Sequence, residues 1–351
     1  MSPAIAGAER SGYWSRLRGV LTVRGGLLVR VLAANLRLGH ATETRWRERH
    51  RQALEGMKAG DPILLPARQW TILSVFFRLV LRGLGLAGFK ATFGRFLAAY
   101  EPHHPKYFRA LHHLYRNSLR PRDVWGLLDS LEEPLLGGGD AVPLGGKRLS
   151  LDLLQSIDEF YRLKEALGFE RSDALVFCEL GAGYGRLADV VLSAMPNASY
   201  LIFDLPESLT LSQYYLTTLH PDWTAALYPE SEKTLSCAKA LSGTRLAFGL
   251  PHQLSLLPPG AVNVFINIYS FMEMSSAQIA VYFDLIDRMK TGALFLKQHE
   301  REVNVLDKSL NARGAYPLRP AWKPLYEGTS ALYDDVFEAV YRLEPSTRLR
   351  A

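Results

Sequence analysis

The sequence predicts a doubly wound α/β domain with a mostly parallel sheet, preceded by an N-terminal helical cap. Three observations predict it. Between positions 174 and 298, apolar runs of strand length alternate with helical stretches, the pattern of a parallel sheet covered on both faces. The first run leads into three glycines on alternate positions, "VFCELGAGYGRL" (Val176–Leu187). Charge also divides the 351 residues: 1–125 hold 21 Lys/Arg against 7 Asp/Glu, and 126–351 hold 20 against 28, so a net charge of +6 conceals two opposed halves.

The basic part reads as mostly helical, with turn signals at "AGDPILLP" (Ala59–Pro66) and "EPHHPKY" (Glu101–Tyr107). Its two apolar stretches, Val20–Leu36 and Ile72–Phe89, are interrupted by Arg24 and Arg30 and by Arg78 and Arg82. Neither offers the ~20 uninterrupted apolar residues of a spanning helix, and the start lacks the short n-region and small-residue cleavage site of a signal peptide. Helices packed on the main domain with arginines at the rim, and amphipathic helices lying on a membrane surface, both fit this pattern. Nucleic acid is not expected, because the arginines are interleaved with Leu and Val rather than with stackable aromatics. The two cysteines, Cys178 and Cys237, lie far apart and suit a reducing, cytoplasmic setting, with peripheral contact to an inner membrane as the variant the cap allows.

A run of glycines with Pro143, "LGGGDAVPLGGK" (Leu136–Lys147), follows, so the expected division is a basic cap at 1–135, a glycine-rich linker at 136–148 and the sheet domain at 149–351. Leu153, Leu154, Ile157, Phe160, Tyr161 and Leu167 then recur at helical spacing, with Ser150 or Asp152 to cap the helix and Gly168 to stop it. Five strands are expected at 174–180, Ser199–Leu205, Arg245–Leu250, Val262–Ser270 and Gly292–Gln298, with helices at Arg186–Met195, around Ser208–Leu219 and at Ser276–Lys290. "DVFEAVYRLEP" (Asp335–Pro345) alternates as an edge strand would.

The glycine loop reads Glu179-x-Gly181-x-Gly183-x-Gly185. A dinucleotide loop would space its glycines GxGxxG, the third packing helix against strand, and a pyrophosphate favours helix amides without a nearby anion. Here the third glycine comes one residue early and an acid precedes the first by two. An acid at a strand end suits a ligand bearing an ammonium or sulfonium group. Asp204 ends the second strand, where a carboxylate can accept both hydroxyls of a ribose. Together these features fit S-adenosylmethionine better than NAD.

At these residues the chain resembles the class I S-adenosylmethionine-dependent methyltransferases, whose first motif is acid-x-Gly-x-Gly-x-Gly, and within them a bacterial sugar O-methyltransferase family. "FDLPESLTLSQYYL" (Phe203–Leu216) and "INIYSFMEMSSAQIAVYFDLI" (Ile266–Ile286) carry the closer resemblance, which extends over Leu149–Arg342. The resemblance implies a Rossmann-like fold, with Glu179, Gly181, Ala182, Gly183 and Gly185 around the methionine end of the cofactor. It further implies Asp204 at the ribose, Leu205 and Pro206 beside the adenine, and Asn267, Tyr269, Ser270 and Glu273 bordering the transferred methyl. The acceptor it implies is a hydroxyl of a sugar or glycoconjugate. A natural-product or lipid-linked acceptor with the cap on a membrane is the alternative, and a non-catalytic binding subunit is a third reading.

Methylating a hydroxyl requires alignment with the S–CH₃ bond and a base for the proton. His299, in "FLKQHERE", and Glu273 are the catalytic candidates, each with a bland counterpart as a loop histidine or a helix brace. His252 is placed on the adenine side or in a structural role, and His103, His104, His112 and His113 are set where the cap could reach over the site. Gln213, Tyr214 and Trp322 are the candidate substrate contacts, with Tyr326 as a second stacking ring; both rings stand in "YPLRPAWKPLYEG" (Tyr316–Gly328), which reads equally well as a proline-rich loop packing its aromatics on the fold. No metal site is assigned, since the histidines lack carboxylates at matching spacing. Some sugar methyltransferases use a divalent ion, and Asp204, Glu273 and Glu300 are the oxygens it would find. The oligomeric state, a homo-oligomer included, is left open.

Overall fold

The computed structural model describes residues 40–66, 105–138, 141–304 and 309–343, with the single positions 70, 71, 74, 75, 77, 78, 86, 89 and 90. The predicted segment Val20–Leu36 and the histidines His103 and His104 lie outside the described residues.

The basic region contributes α1 (His40–Lys58), α2 (Pro105–Leu119) and the short α3 (Leu127–Ser130). The glycines read as linker instead turn a hairpin of β1 (Val142–Leu144) and β2 (Lys147–Leu149), with Gly145 and Gly146 at positive φ. Helix α4 (Leu151–Leu167) starts as expected: the Ser150 Oγ accepts the Leu153 N–H, and Gly168 closes it in the left-handed conformation.

The alternating region then gives β3 (Val176–Leu180), α5 (Arg186–Ala194), β4 (Ser199–Phe203), α6 (Pro206–Leu219), β5 (Ala225–Ala226), α7 (Glu232–Leu235), α8 (Ala238–Ser242) and β6 (Leu246–Gly249). It continues with β7 (Val264–Ile268), α9 (Ser276–Arg288), β8 (Ala293–His299), a hairpin of β9 (Arg301–Asn304) and β10 (Ser309–Ala312), β11 (Lys323–Thr329) and β12 (Val336–Arg342). Eight strands form one sheet in the order β11-β12-β8-β7-β3-β4-β6-β5. The five from β6 to β8 in that order run parallel, β5 joins β6 in the same sense, and β12 runs against both β8 and β11.

Two corrections follow. The strand predicted at the edge, β12, lies inside the sheet, because the segment expected to be a proline-rich loop supplies β11 as the true edge. Its prolines are tolerated there, Pro324 falling beside a register shift.

The sheet is doubly wound, as its two hydrophobic clusters show. Phe177, Tyr200, Phe248, Val264 and Phe295 pack on one face with α4, α5 and α6, whereas Cys178, Leu201, Ala247, Phe265 and Leu294 pack on the other with α9. Such alternation within all-buried strands accounts for the continuous apolar runs. Trp46, Ala53, Met57, Phe77, Leu86 and Phe89 of the basic region join the first face, so the described part of the cap shares the core of the sheet. Among the described residues, no helix is long and apolar enough to cross a membrane.

Candidate functional site

The strand order reverses between β3 and β7, and the crevice outside their carboxyl ends is where open α/β sheets take ligands. The glycine loop opens there. Gly181, Gly183 and Gly185 all have positive φ, and Gly185 caps α5 in the left-handed conformation. Gly181 also meets the chain leaving β7: a Cβ on it would fall 2.4 Å from the Ser270 Cβ and Oγ. Both the sign of φ and the lack of space forbid a side chain. We therefore expect Gly181→Ala to cost about 1–3 kcal/mol of stability, read as a shift in the urea midpoint.

Asp204, directly beyond β4, ties the loop down. Its Oδ2 accepts the Gly183 N–H at 2.8 Å and its Oδ1 the Leu205 N–H at 2.7 Å. Each oxygen retains a second lone pair for an incoming hydroxyl. Below the loop, Glu179 accepts the Tyr200 hydroxyl at 2.7 Å. Burial dominates both carboxyls: it raises Asp204 to about 8, against its two amide hydrogen bonds, and Glu179 to about 7, against the Tyr200 hydrogen bond. The site thus holds two desolvated acids, which a cationic ligand would favour in ionised form.

That arrangement fixes the sign of two pH effects. An acid whose pKa is higher folded than unfolded contributes stability fully below its unfolded value, and loses it as pH rises to the folded value. The ligand-free protein is therefore expected to lose stability between about pH 4 and pH 8 on account of these two groups. A cationic ligand should bind more tightly at pH 8 than at pH 6 and release protons on binding. Calorimetry in two buffers of different ionisation enthalpy measures that release, and proton uptake on binding would contradict it.

Asn267 ends the buried part of β7 and fixes the loop beyond it. Its Nδ2 donates to the Leu180 carbonyl at 2.8 Å, while its Oδ1 accepts the Phe271 N–H and the Gln298 Nε2. Fully buried, Asn267 spends its amide oxygen and one of its amide hydrogens on holding the loop in place. Tyr269 follows at φ 56, a left-handed conformation unusual for an aromatic residue, and its hydroxyl has no hydrogen-bond partner among the described residues. Burial raises that hydroxyl to about 12. The Tyr269 ring lies 5.7 Å from the ring of His299.

His299 is the last residue of β8, and its Nδ1 stands 2.8 Å from the Oδ2 of Asp335. A carboxylate can only accept, which assigns the proton to Nδ1 and leaves Nε2 with its lone pair. Asp335 was not a sequence candidate. It reaches the site because β12 runs antiparallel, so that the residue before its first strand position lies level with the end of β8, Val336 pairing with His299.

Glu273 is held by the basic region: its Oε2 accepts the Trp70 indole N–H at 2.5 Å. Glu207, in the first turn of α6, is approached from the same region. Ser74 donates to its Oε2 at 3.2 Å, and the His50 Nε2 and Arg78 Nε lie 3.7 and 3.9 Å from its Oε1. The Gln278 Nε2 donates to the Leu65 carbonyl at 2.7 Å. Residues of the cap thus cover the carboxyl edge of the sheet from β4 to β7. His252 belongs to this cover, since a Cβ on Gly60 would fall 2.6 Å from its Nδ1.

The proposed substrate contacts fare differently. Gln213 is buried and spends its amide on the Tyr228 N–H and the Leu209 carbonyl. Tyr214 packs edge-on against Trp46 of α1, and Tyr215 packs against Phe89 and Tyr184, so α6 is covered on both sides and both tyrosines are interior. Trp322 is stacked on Phe283 with Tyr316 nearby, in the core on the α9 face, and Tyr326 is covered by the Arg162 guanidinium at 3.8 Å. His112 is buried and His113 exposed on α2. Among the described residues, no group of three or more His, Cys, Asp or Glu side chains is placed to hold a metal ion.

No protein-family model matches the chain, and no curated protein matches it. Of solved structures, 347 chains match. One is the magnesium protoporphyrin IX methyltransferase of Synechocystis PCC 6803 with bound SAH, at 12% identity and TM-score 0.38 over 66% of this chain and 97% of that one. A second is TrmK of M. capricolum in complex with S-adenosyl-homocysteine, at 10% identity and TM-score 0.31 over 52% and 67%. A third is the bifunctional kinase-methyltransferase WbdD, at 16% identity and TM-score 0.33 over 55% and 38%. At these identities and scores they are likenesses, and the functional reading rests on the chain's own residues.

Proposed function

We propose that the chain is an S-adenosylmethionine-dependent methyltransferase that transfers the methyl group to a hydroxyl, with a sugar or glycoconjugate as acceptor. The observation that carries this reading is the pair of buried acids, Glu179 and Asp204, flanking a loop of three positive-φ glycines at the switch point of the sheet. A phosphate-bearing ligand would meet two carboxylates there, whereas an adenosine joined to a cationic amino acid meets a ribose acceptor at one and a counter-charge near the other. The cofactor supplies an electrophilic methyl carbon on a positively charged sulfur. The residues named here hold it and exclude water.

A hydroxyl acceptor needs a base, and His299 has the form of one. Asp335 holds the ring by Nδ1, so that Nε2 is the free acceptor at the carboxyl end of β8. The cap, which covers the same edge through Trp70, Ser74 and Leu65, keeps bulk water from the reacting atoms in this reading. Glu273 and Glu207, both engaged by cap residues, line the acceptor side.

The direct test is calorimetry with S-adenosylhomocysteine and with NAD. We expect the first to bind and the second not to. Asp204→Ala removes two charged acceptors for ribose hydroxyls, and at about 1.5–3 kcal/mol for each such hydrogen bond it should weaken binding by 100-fold or more. Binding of NAD in place of S-adenosylhomocysteine, or unchanged affinity in Asp204→Ala, would refute the assignment.

A further inference from the structure

Helix α4 lies outside the motifs that suggest the cofactor, yet it carries an unexplained group. Gln155 is completely buried, and among the described residues neither its Oε1 nor its Nε2 has a hydrogen-bond partner. A buried amide left without bonds costs its full desolvation, so such groups in native proteins mark an absent ligand or water. Tyr269 presents a second orphan, its hydroxyl, from a strained backbone at the end of β7.

Neighbouring side chains place Gln155 relative to the loop. One residue on, Ser156 meets the Arg186 guanidinium at 2.9 Å, and three residues back Asp152 accepts the Tyr184 hydroxyl at 2.8 Å. Tyr184 lies within the glycine loop and Arg186 directly after it, so this turn of α4 stands against the loop. One turn further along α4, Glu159 pairs with Arg186 and with Lys297 of β8, the latter at 3.0 Å. Gln155 and Glu159, four residues apart, share a face of the helix. Because α4 runs towards the amino ends of the strands, Gln155 sits about 6 Å nearer their carboxyl ends than Glu159. His299 sits a similar distance, roughly 7 Å, beyond Lys297 along β8. Gln155 is therefore level with His299 and Tyr269, and beside the loop that follows Glu179.

We infer that the Gln155 amide and the Tyr269 hydroxyl hold the amino-acid end of the cofactor. The chemistry matches: an α-amino acid head offers an ammonium, which the Gln155 Oε1 accepts, and a carboxylate, which the Gln155 Nε2 and the Tyr269 hydroxyl donate to. The glycine loop's own side-chain donor, the Tyr184 hydroxyl, is spent on Asp152, so from the loop that carboxylate meets only backbone amides. The inference rests on the methyltransferase reading and deepens it, because it makes α4 a wall of the cofactor site.

The test compares two ligands that differ only at this end. S-adenosylhomocysteine carries the amino-acid head, and 5′-methylthioadenosine lacks it. In the full chain, Gln155→Leu keeps the buried volume and removes the amide, so its thermal midpoint should equal or exceed that of the unaltered protein. We expect this variant to lose roughly 10- to 100-fold in affinity for S-adenosylhomocysteine, with affinity for 5′-methylthioadenosine unchanged. Tyr269→Phe should show the same selective loss to a smaller degree. If the unaltered protein binds neither ligand, the methyltransferase reading itself fails, and this inference with it. If it binds S-adenosylhomocysteine and Gln155→Leu preserves the ratio of the two affinities, the reading stands and the inference is overturned. Equal losses for both ligands would also overturn it, assigning Gln155 a purely structural part.

Discussion

Replacing His299 by Gln is expected to lower the rate of methyl transfer by roughly 10²–10⁴-fold with the acceptor saturating, the usual contribution of a positioned general base. Affinity for S-adenosylhomocysteine should be almost unchanged, because the base acts on the acceptor and not on the donor. The reason lies in the dyad: Asp335 engages Nδ1 at 2.8 Å, which leaves Nε2 as the nitrogen able to accept the hydroxyl proton. Asp335→Asn keeps an acceptor for Nδ1–H but removes the charge that stabilises the imidazolium formed on proton transfer, and a smaller loss in the same direction is expected. Transfer of labelled methyl from S-adenosylmethionine to a panel of sugars and glycosides provides the readout. Full activity in His299→Gln would assign the proton to another group, with Glu273 as the next candidate.

Replacing Lys297 by Met is expected to destabilise the protein by about 3–5 kcal/mol, since it removes the cation between two buried carboxylates. Lys297 lies 3.0 Å from Glu159 and 3.0 Å from Glu338, all three being at most 1% exposed. Burial works against its charge, but the two carboxylates outweigh that cost and hold the ammonium well above its ordinary pKa. Arg186 still pairs with Glu159 and Arg162 with Glu338 in the variant, yet Glu338 would have lost its nearer partner and Glu159 one of its two. A fall of roughly 4–7 °C in the thermal midpoint is the corresponding observation for a chain of 351 residues. Lys323, exposed on β11, is the control, and Lys323→Met should change stability by no more than about 0.5 kcal/mol.

The parallel strands were legible in the sequence because strands buried on both faces must be apolar throughout. Thus "VFCEL", "SYLIF" and "VFINI" announced β3, β4 and β7 to within a residue or two. The glycine loop was legible too, since positive φ at Gly181, Gly183 and Gly185 leaves few alternatives to glycine. What escaped depended on pairing across long sequence separations. β11 looked like a loop because an edge strand tolerates prolines and exposes most of its side chains. Trp322 looked like a sugar platform, for a lone aromatic beside prolines gives no sign of whether Phe283 waits to stack on it. Asp335 gave no signal, because its meeting with His299 is a product of register between β12 and β8. Gln155 was invisible for the opposite reason: it stands beside Ser156 and within four positions of Asp152, Asp158 and Glu159, where one more polar residue draws notice only once its burial is known.

The reversed direction of β12 has a consequence for how the protein comes into being. Of all the strands in the sheet, β12 is translated after every other, and it fills the gap between β8 and β11. The same strand carries Glu338, a partner of Lys297, and follows directly on Asp335, the partner of His299. A nascent chain that lacks this segment therefore has an unfinished sheet, a buried lysine with one of its two carboxylates missing and a histidine without its Asp335 partner at once. Closure of the sheet, the pairing of Lys297 with Glu338 and the meeting of His299 with Asp335 all wait on the last strand to be translated, and under the proposed function methyl transfer would wait on it too.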